Sequence, residues 1–100
     1  IKIVLVNNGT LGMVKQWQDK FFNQRFSHSV FNDQPDFLKL AAAYGVKGYL
    51  IDQPDQLEET LQAAFKHDGA ALIDIRISPG EPVTPMVPSG KANHEMEGLL

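Results

Sequence analysis

Residues 1–18, IKIVLVNNGTLGMVKQWQ, decide the expected fold. Residues 1–6 form a mostly apolar run rich in β-branched side chains, which is typical of a strand buried on both faces of a parallel sheet. The Asn-Asn-Gly tripeptide that follows favours a turn. From Thr10 to about residue 22, apolar residues recur at spacings of three and four, which predicts an amphipathic helix with Thr10 as its N-cap. The apolar residues of this stripe are Leu11, Val14, Trp17 and Phe21.

The rest of the sequence continues the alternation of strands and helices. The tripeptide Gln-Pro-Asp occurs at 34–36 and again at 53–55, and both Pro and Asp suit the first turn of a helix. Short apolar segments at 47–51 and 70–77 predict two further strands. This order predicts an α/β fold in which helices flank a parallel sheet.

Burial can also be predicted from the patterns. Asp74 and Arg76 alternate with isoleucines, so one face of the last strand is expected to be partly exposed. Residues 23–34 are polar and irregular, which predicts a long loop of the kind that often faces a ligand. The side chains expected to be buried are Phe37, Leu40, Ala41 and Tyr44 in the first of the two later helices and Leu57, Leu61, Ala64 and Phe65 in the second.

The chain is expected to divide at residue 78. Residues 1–78 carry the strand and helix patterns, whereas residues 79–100 are rich in Pro and Gly and predict an extended C-terminal arm. Ile1 already lies inside a strand pattern, and a natural N-terminus rarely begins there. We therefore expect the chain to be part of a longer polypeptide.

Composition excludes several classes of protein. A chain of 100 residues makes one domain at most. The net charge of −3 and the scattered Lys and Arg residues argue against a nucleic-acid surface. Cysteine is absent, which excludes a disulfide scaffold, a thiolate metal site and a cysteine nucleophile. No apolar stretch is long enough to span a membrane, and the first residues lack the pattern of a signal peptide, so we expect no signal peptide and a cytoplasmic protein.

The Asn-Asn-Gly turn is the candidate site. In α/β sheets, ligands bind beyond the carboxyl ends of the strands, and the following helix offers free N–H groups to a phosphate. Asparagine is a neutral oxygen ligand of the kind that Mg²⁺ accepts together with phosphate oxygens. The alternative is a plain turn, because Asn and Gly favour turns for conformational reasons alone. The tripeptide by itself favours the plain turn.

A longer string changes this assessment. Residues 7–18, NNGTLGMVKQWQ, closely resemble the end of the thiamine-diphosphate motif of acetohydroxyacid synthase, also called acetolactate synthase. The Asn-Asn ending of that motif is present, whereas its Gly-Asp-Gly beginning is not. The resemblance continues through QPDFLKLAAAYGVKG, LIDIRI and PVTPMVPSG, and so covers essentially the whole chain. It implies the C-terminal part of the three-layer α/β/α domain that binds thiamine diphosphate in the catalytic large subunit.

The resemblance implies a role for each matching residue of the turn. Asn8 matches the asparagine that ligates magnesium, and Thr10 matches the next ligand, which coordinates through its backbone carbonyl. Leu11, Gly12 and Met13 match positions that lie against the cofactor. The family's third magnesium ligand would lie upstream of residue 1, and the activating glutamate would come from a partner subunit, so no catalytic residue is expected in this chain.

Two further matches concern the substrate channel. Trp17 matches a tryptophan that shapes the pocket for the second keto acid and stacks on herbicides, and Ser89 matches a herbicide-site position on the arm that closes over the active site. Without the resemblance, the i, i+4 spacing of Met13 and Trp17 on one helix would indicate core packing, and Ser89 would be a solvated loop residue.

The resemblance implies condensation of pyruvate with a second 2-keto acid, pyruvate or 2-ketobutyrate, with release of CO2. It also implies FAD bound mainly outside this segment, a homodimer or tetramer, and a small regulatory subunit. The resemblance leaves two types open, an anabolic one in branched-chain amino-acid biosynthesis and a catabolic one that makes acetoin, and the tryptophan matched by Trp17 favours the anabolic type. We expect the isolated chain to be inactive. The alternatives are another thiamine-diphosphate enzyme, such as a pyruvate oxidase, glyoxylate carboligase or decarboxylase, and a non-catalytic phosphate-binding α/β module.

Overall fold

A computed structural model describes residues 1–98 of the chain. Its strands are β1 (Lys2–Asn7), β2 (Lys47–Ile51) and β3 (Ala71–Arg76). Its helices are α1 (Gly12–Phe21), α2 (Phe37–Ala43) and α3 (Leu57–Lys66), the last of which is preceded by a 3-10 turn at Pro54–Gln56. In this part of the chain no helix has both the length and the apolar character that a membrane crossing requires.

The three strands form one parallel sheet in the order β1-β3-β2, which confirms the predicted α/β fold with helices beside a parallel sheet. The last strand therefore inserts between the first two. In the register of the sheet, Val6 of β1 and Ile51 of β2 both lie level with Ile75 of β3. The carboxyl ends of all three strands thus meet at one edge of the sheet.

The core lies against β3, because β3 is the middle strand. Ile73 is completely buried and clusters with Ile51 of β2 and Ala64 of α3. The partly buried side chains that complete this cluster are Tyr49, Leu61 and Ile75. Several predictions of burial were nevertheless wrong, because the sheet is narrow. Leu40, Tyr44, Leu57 and Phe65 are exposed, whereas Ala41 and Ala64 are buried as expected.

Strand β1 and helix α1 also depart from the predicted burial. In β1, expected to be buried on both faces, Ile3, Val4 and Val6 are exposed, because the helices of the described part of the chain pack mainly on β2 and β3. Helix α1 has no buried residue, and the side chains of its predicted apolar stripe are 38–47% exposed within residues 1–98. Asp74 is the opposite case: it was expected on a partly exposed face and is completely buried.

The predicted helix starts had different outcomes. Asp36 caps α2, where its side chain accepts hydrogen bonds from the Leu38 and Lys39 N–H groups. Thr10 was wrong as the N-cap of α1: the cap position is Leu11, and no side chain caps this helix. Thr10 instead forms an antiparallel bridge with Val30, within the predicted loop.

The loop at residues 23–34 contains no helix or strand and is tied to α1. Buried Ser29 donates its hydroxyl to Gln18 Oε1 and accepts the Leu11 N–H at its carbonyl, 2.8 Å away.

The predicted C-terminal arm, residues 79–100, comes after β3 in the chain. Its described part, to residue 98, has turns but no helix or strand. Gln16 of α1 holds it: its Oε1 accepts the Val83 N–H at 2.8 Å and its Nε2 donates to the Val83 carbonyl at 3.0 Å. Lys20, one turn further along α1, pairs with Glu97. The boundary at residue 78 stays a prediction.

Candidate functional site

The turn after β1 consists of two overlapping side-chain-to-backbone hydrogen bonds. Asn7 Oδ1 accepts the Gly9 N–H at 3.0 Å, and Asn8 Oδ1 accepts the Thr10 N–H at 3.1 Å. Each is an Asx turn, in which the side-chain oxygen of an asparagine accepts the backbone N–H of the residue two positions later and so mimics a backbone turn. Gly9 has φ +69°, a left-handed conformation that suits glycine. The two asparagine side chains therefore hold successive parts of one turn: Asn7 holds the Gly9 amide and Asn8 holds the Thr10 amide.

Asn7 is anchored from below by a buried carboxylate. Its Nδ2 donates to Asp74 Oδ1 at 3.0 Å, and Arg76 Nε donates to Asp74 Oδ2 at 2.9 Å. Asn7 is only 5% exposed and Asp74 is 0% exposed. Since Asn7 Nδ2 faces the carboxylate, Asn7 Oδ1 must face the Gly9 amide. The asparagine that begins the turn is thus oriented by the middle strand of the sheet.

Sequence reasoning missed this role of Asp74. The signal that could have found it is the register of two adjacent parallel strands. Asn7 lies level with Arg76, so Asp74, two residues earlier on β3, is on the same face of the sheet as Asn7. That register needs the strand order, and the sequence alone does not provide it.

Asn8 lies directly over the start of α1. A Cβ atom placed on Gly12 would be 2.8 Å from Asn8 Nδ2, closer than a real side chain can come. Gly12 therefore leaves the room that the Asn8 amide occupies. Asn8 Oδ1 has two lone pairs and uses one for the Thr10 N–H, so the other can face a cation.

The first turn of α1 presents hydrogen-bonding groups to the same edge. The helix has ten residues, no acidic residue in its first turn and no side-chain cap, so the orphan N–H groups of Gly12 and Met13 are available to an anion. Thr10 Oγ1 is buried without a partner in the described part of the chain. Among the backbone hydrogen bonds outside the helices and strands of residues 1–98, none is accepted by the Thr10 carbonyl.

Beyond the turn, α1 carries an open apolar depression of about 640 Å³. Met13 and Trp17 both line it, together with Val14, Gln18, Phe22 and Arg25. The Trp17 ring meets the Phe21 ring edge to face, with centroids 5.7 Å apart. Both Met13 and Trp17 are exposed rather than core residues of this chain. The depression therefore brings together Met13, a predicted cofactor position, and Trp17, a predicted channel position.

Ser89 is separate from this cluster. It is exposed on the C-terminal arm and does not line the depression. Within the described residues, no group of three or more His, Cys, Asp or Glu side chains is arranged to hold a metal ion. A cation at the turn would therefore depend on neutral oxygens of this chain and on charged groups from a ligand or another segment.

The protein family described as thiamine pyrophosphate enzyme, C-terminal TPP binding domain, matches residues 1–75. The chain belongs to this family. Thiamine pyrophosphate is another name for thiamine diphosphate, so the predicted cofactor is confirmed for the domain as a whole. The residues that contact it stay predictions.

Curated relatives of this TPP-binding domain confirm the predicted resemblance. The large subunit of acetolactate synthase isozyme 2 from Escherichia coli (strain K12) is 46% identical over 96 residues, which is 96% of this chain and 18% of the relative. The acetolactate synthase large subunit of Lactococcus lactis subsp. lactis (strain IL1403) is 46% identical over 99 residues, covering 99% of this chain and 17% of the relative. That of Parasynechococcus marenigrum (strain WH8102) is 43% identical, covering 99% and 16%. The chain spans about a sixth of the length of these relatives.

Proposed function

We propose that this chain is the C-terminal, cofactor-binding segment of an acetolactate synthase large subunit. The enzyme would condense pyruvate with a second 2-keto acid, pyruvate or 2-ketobutyrate, and release CO2. The observation that carries the proposal is the Asx turn of Asn8 over the uncapped start of α1, in a chain 46% identical to two such large subunits.

The groups at the turn fit Mg²⁺ and a diphosphate. Magnesium prefers oxygen ligands in octahedral geometry and is often held by one or two protein groups together with substrate phosphates. Asn8 Oδ1 and the Thr10 carbonyl would supply two neutral oxygens. The Gly12 and Met13 N–H groups would donate to diphosphate oxygens at the positive end of α1. Leu11 would pack against the cofactor beside them.

Thiamine diphosphate would supply the carbanion chemistry, as cofactors generally do. This chain would hold and orient the cofactor. Trp17 would shape the apolar depression for the acceptor keto acid, and Ser89 would line the channel when the C-terminal arm closes over it. The same proposal includes FAD bound mainly outside this segment, a role in branched-chain amino-acid biosynthesis, and a cytoplasmic homodimer or tetramer with a small regulatory subunit.

The isolated chain would be inactive, because it offers two neutral metal ligands and no catalytic base of its own. Acetolactate formed from pyruvate by the purified 100-residue chain would contradict this part of the proposal.

The test is calorimetric titration of thiamine diphosphate into the protein at its natural length, with Mg²⁺ and with a chelator. We expect Mg²⁺-dependent binding, and acetolactate from pyruvate in a parallel assay. Asn8→Ala should weaken this binding at least about tenfold, since it removes a metal ligand. Thr10→Val is the matched control: it keeps the backbone carbonyl and should retain binding within about threefold.

Each other result contradicts a different part of the proposal. Absence of Mg²⁺-dependent binding by the unmodified protein would refute the cofactor site. Binding without acetolactate formation would refute the proposed reaction. Equal binding by Asn8→Ala and the unmodified protein would move the metal site away from this turn.

A further inference from the structure

Asp74 is the most deeply buried charged side chain near the turn. It is 0% exposed on the middle strand, between Asn7 of β1 and Arg76 of its own strand. Burying a carboxylate is unfavourable unless its oxygens are paired. Replacing a buried ion pair by apolar residues of similar size often leaves a protein equally stable or more stable. Leu72, two residues earlier and therefore on the same face of β3, is apolar and partly buried, so this face accepts apolar side chains. Packing alone therefore does not explain an aspartate here.

The hydrogen bonds of Asp74 determine the orientation of the Asn7 amide. An amide presents a donor at one end and an acceptor at the other. Because Asp74 Oδ1 can only accept, Asn7 Nδ2 must point to it, and Asn7 Oδ1 must point to the Gly9 N–H. Arg76 occupies the other carboxylate oxygen of Asp74. These contacts hold the first Asx turn in one geometry.

The second Asx turn begins at the next residue. A peptide bond joins Asn7 directly to Asn8. Gly9 lies between Asn8 and Thr10, and its N–H is held by Asn7 Oδ1. A different orientation of Asn7 would release Gly9 and change the separation of Asn8 Oδ1 from the Thr10 carbonyl. Buried partners behind a metal ligand commonly control metal affinity in this way.

We propose that Asp74 is a positioning residue: acting through Asn7, it sets the spacing of Asn8 and Thr10 and thereby the Mg²⁺ concentration that diphosphate binding requires. This inference rests on the proposed function, since it assigns a determinant of the same cation site.

The test is an exchange of the two side chains in the protein at its natural length. In Asp74→Asn, the one remaining oxygen would have to accept from both Asn7 Nδ2 and Arg76 Nε. In Asn7→Asp, two carboxylates would face each other. In the double variant Asn7→Asp/Asp74→Asn, the new amide can donate to the new carboxylate while its oxygen accepts from Arg76, and the Gly9 N–H keeps its acceptor.

The measurement is the Mg²⁺ concentration that gives half-maximal binding of thiamine diphosphate, found by calorimetry at fixed cofactor concentration. The melting temperature is measured in parallel without cofactor. We expect each single variant to need at least about tenfold more Mg²⁺, and the double variant to return to within about threefold of the unmodified protein. Asp68→Asn is the matched control: it makes the same change at an exposed residue before β3, at the opposite end of the sheet, and should leave the Mg²⁺ requirement unchanged.

The possible results separate this inference from a purely structural role. A lower melting temperature in Asp74→Asn with an unchanged Mg²⁺ requirement would overturn it. If Asp74→Asn does not fold, recovery of the Mg²⁺ requirement between Asn7→Asp and the double variant supports it, and lack of recovery overturns it. If the unmodified protein shows no Mg²⁺-dependent binding, the proposed function itself fails.

Discussion

The two halves of this domain are held together by different forces. In the half formed by β2, α3 and β3, apolar side chains are buried: Ile73 is completely inaccessible and packs with Ile51 and Ala64. In the half formed by β1 and α1, apolar side chains are abundant but exposed, and α1 buries none of them. The half that carries the candidate site therefore depends much less on apolar burial within residues 1–98.

Polar contacts of specific geometry hold the second half instead. Asp74 holds Asn7, Gln18 holds the loop at Ser29, and Gln16 holds the C-terminal arm at Val83. Such contacts add little net stability but specify positions closely. The difference shows that a stable core and a positioned site can be built from separate sets of residues in one small sheet.

The largest expected effect compares two isoleucines, one in each half. Ile73→Ala should lower the free energy of unfolding by about 4 kcal/mol, because it leaves a cavity in a fully buried position. Ile3→Ala removes the same atoms from a side chain that is 45% exposed, and should cost about 1 kcal/mol. Urea unfolding of the protein at its natural length measures both. Equal losses of unfolding free energy in the two variants would show that another segment of the protein covers Ile3. The contrast between the two halves would then hold only within this chain.

A smaller effect is expected for the contact between α1 and the C-terminal arm. Gln16→Ala removes both hydrogen bonds to the Val83 backbone and should cost about 1 kcal/mol. Hydrogen exchange at the Val83 amide should become at least about tenfold faster, because local opening exposes it. Gln62→Ala is the control, since Gln62 contacts only Glu58 within α3 among the described hydrogen bonds. Unchanged exchange at Val83 in Gln16→Ala would mean that other contacts hold the arm.

The smallest effect concerns the cap of α2. The Lys39 backbone N–H, followed by the Lys39 charge and the Leu38 N–H, holds the pKa of Asp36 below its ordinary value. The stabilisation that the ionised Asp36 side chain gives is therefore complete above its pKa in the unfolded state. It is lost as the pH falls through the lower pKa of Asp36 in the folded state. Asp36→Asn keeps a good N-cap without a charge that titrates, so it should lose less stability in acid.

Urea midpoints at neutral pH and in acid would measure this difference between Asp36→Asn and the unmodified protein. Asp33→Asn, in the loop before α2, is the matched control. The same acid-induced loss in Asp36→Asn and the unmodified protein would assign the pH dependence to other carboxylates.

Local patterns predicted the element types well and the burial poorly. The apolar runs and the Gln-Pro-Asp starts predicted the strands and helices, because these depend on neighbours in the chain. The burial of Leu40 and Tyr44 was wrong, since a stripe shows which face of a helix is apolar but not whether a surface covers it. The cap of α1 was wrong for a related reason: Thr10 bridges to Val30 in a distant loop.

By itself, the sequence determined the α/β class, the turn after β1 and the resemblance to a thiamine-diphosphate enzyme, because periodicity, turn chemistry and motif spacing are local. Only the tertiary structure decided that β3 lies between β1 and β2. That order places Asp74 within hydrogen-bond distance of Asn7, 67 residues away in the chain. No local pattern indicates that this buried carboxylate orients the Asn7 amide. The physical reason is register: which side chains share a face and a level depends on which strands pair.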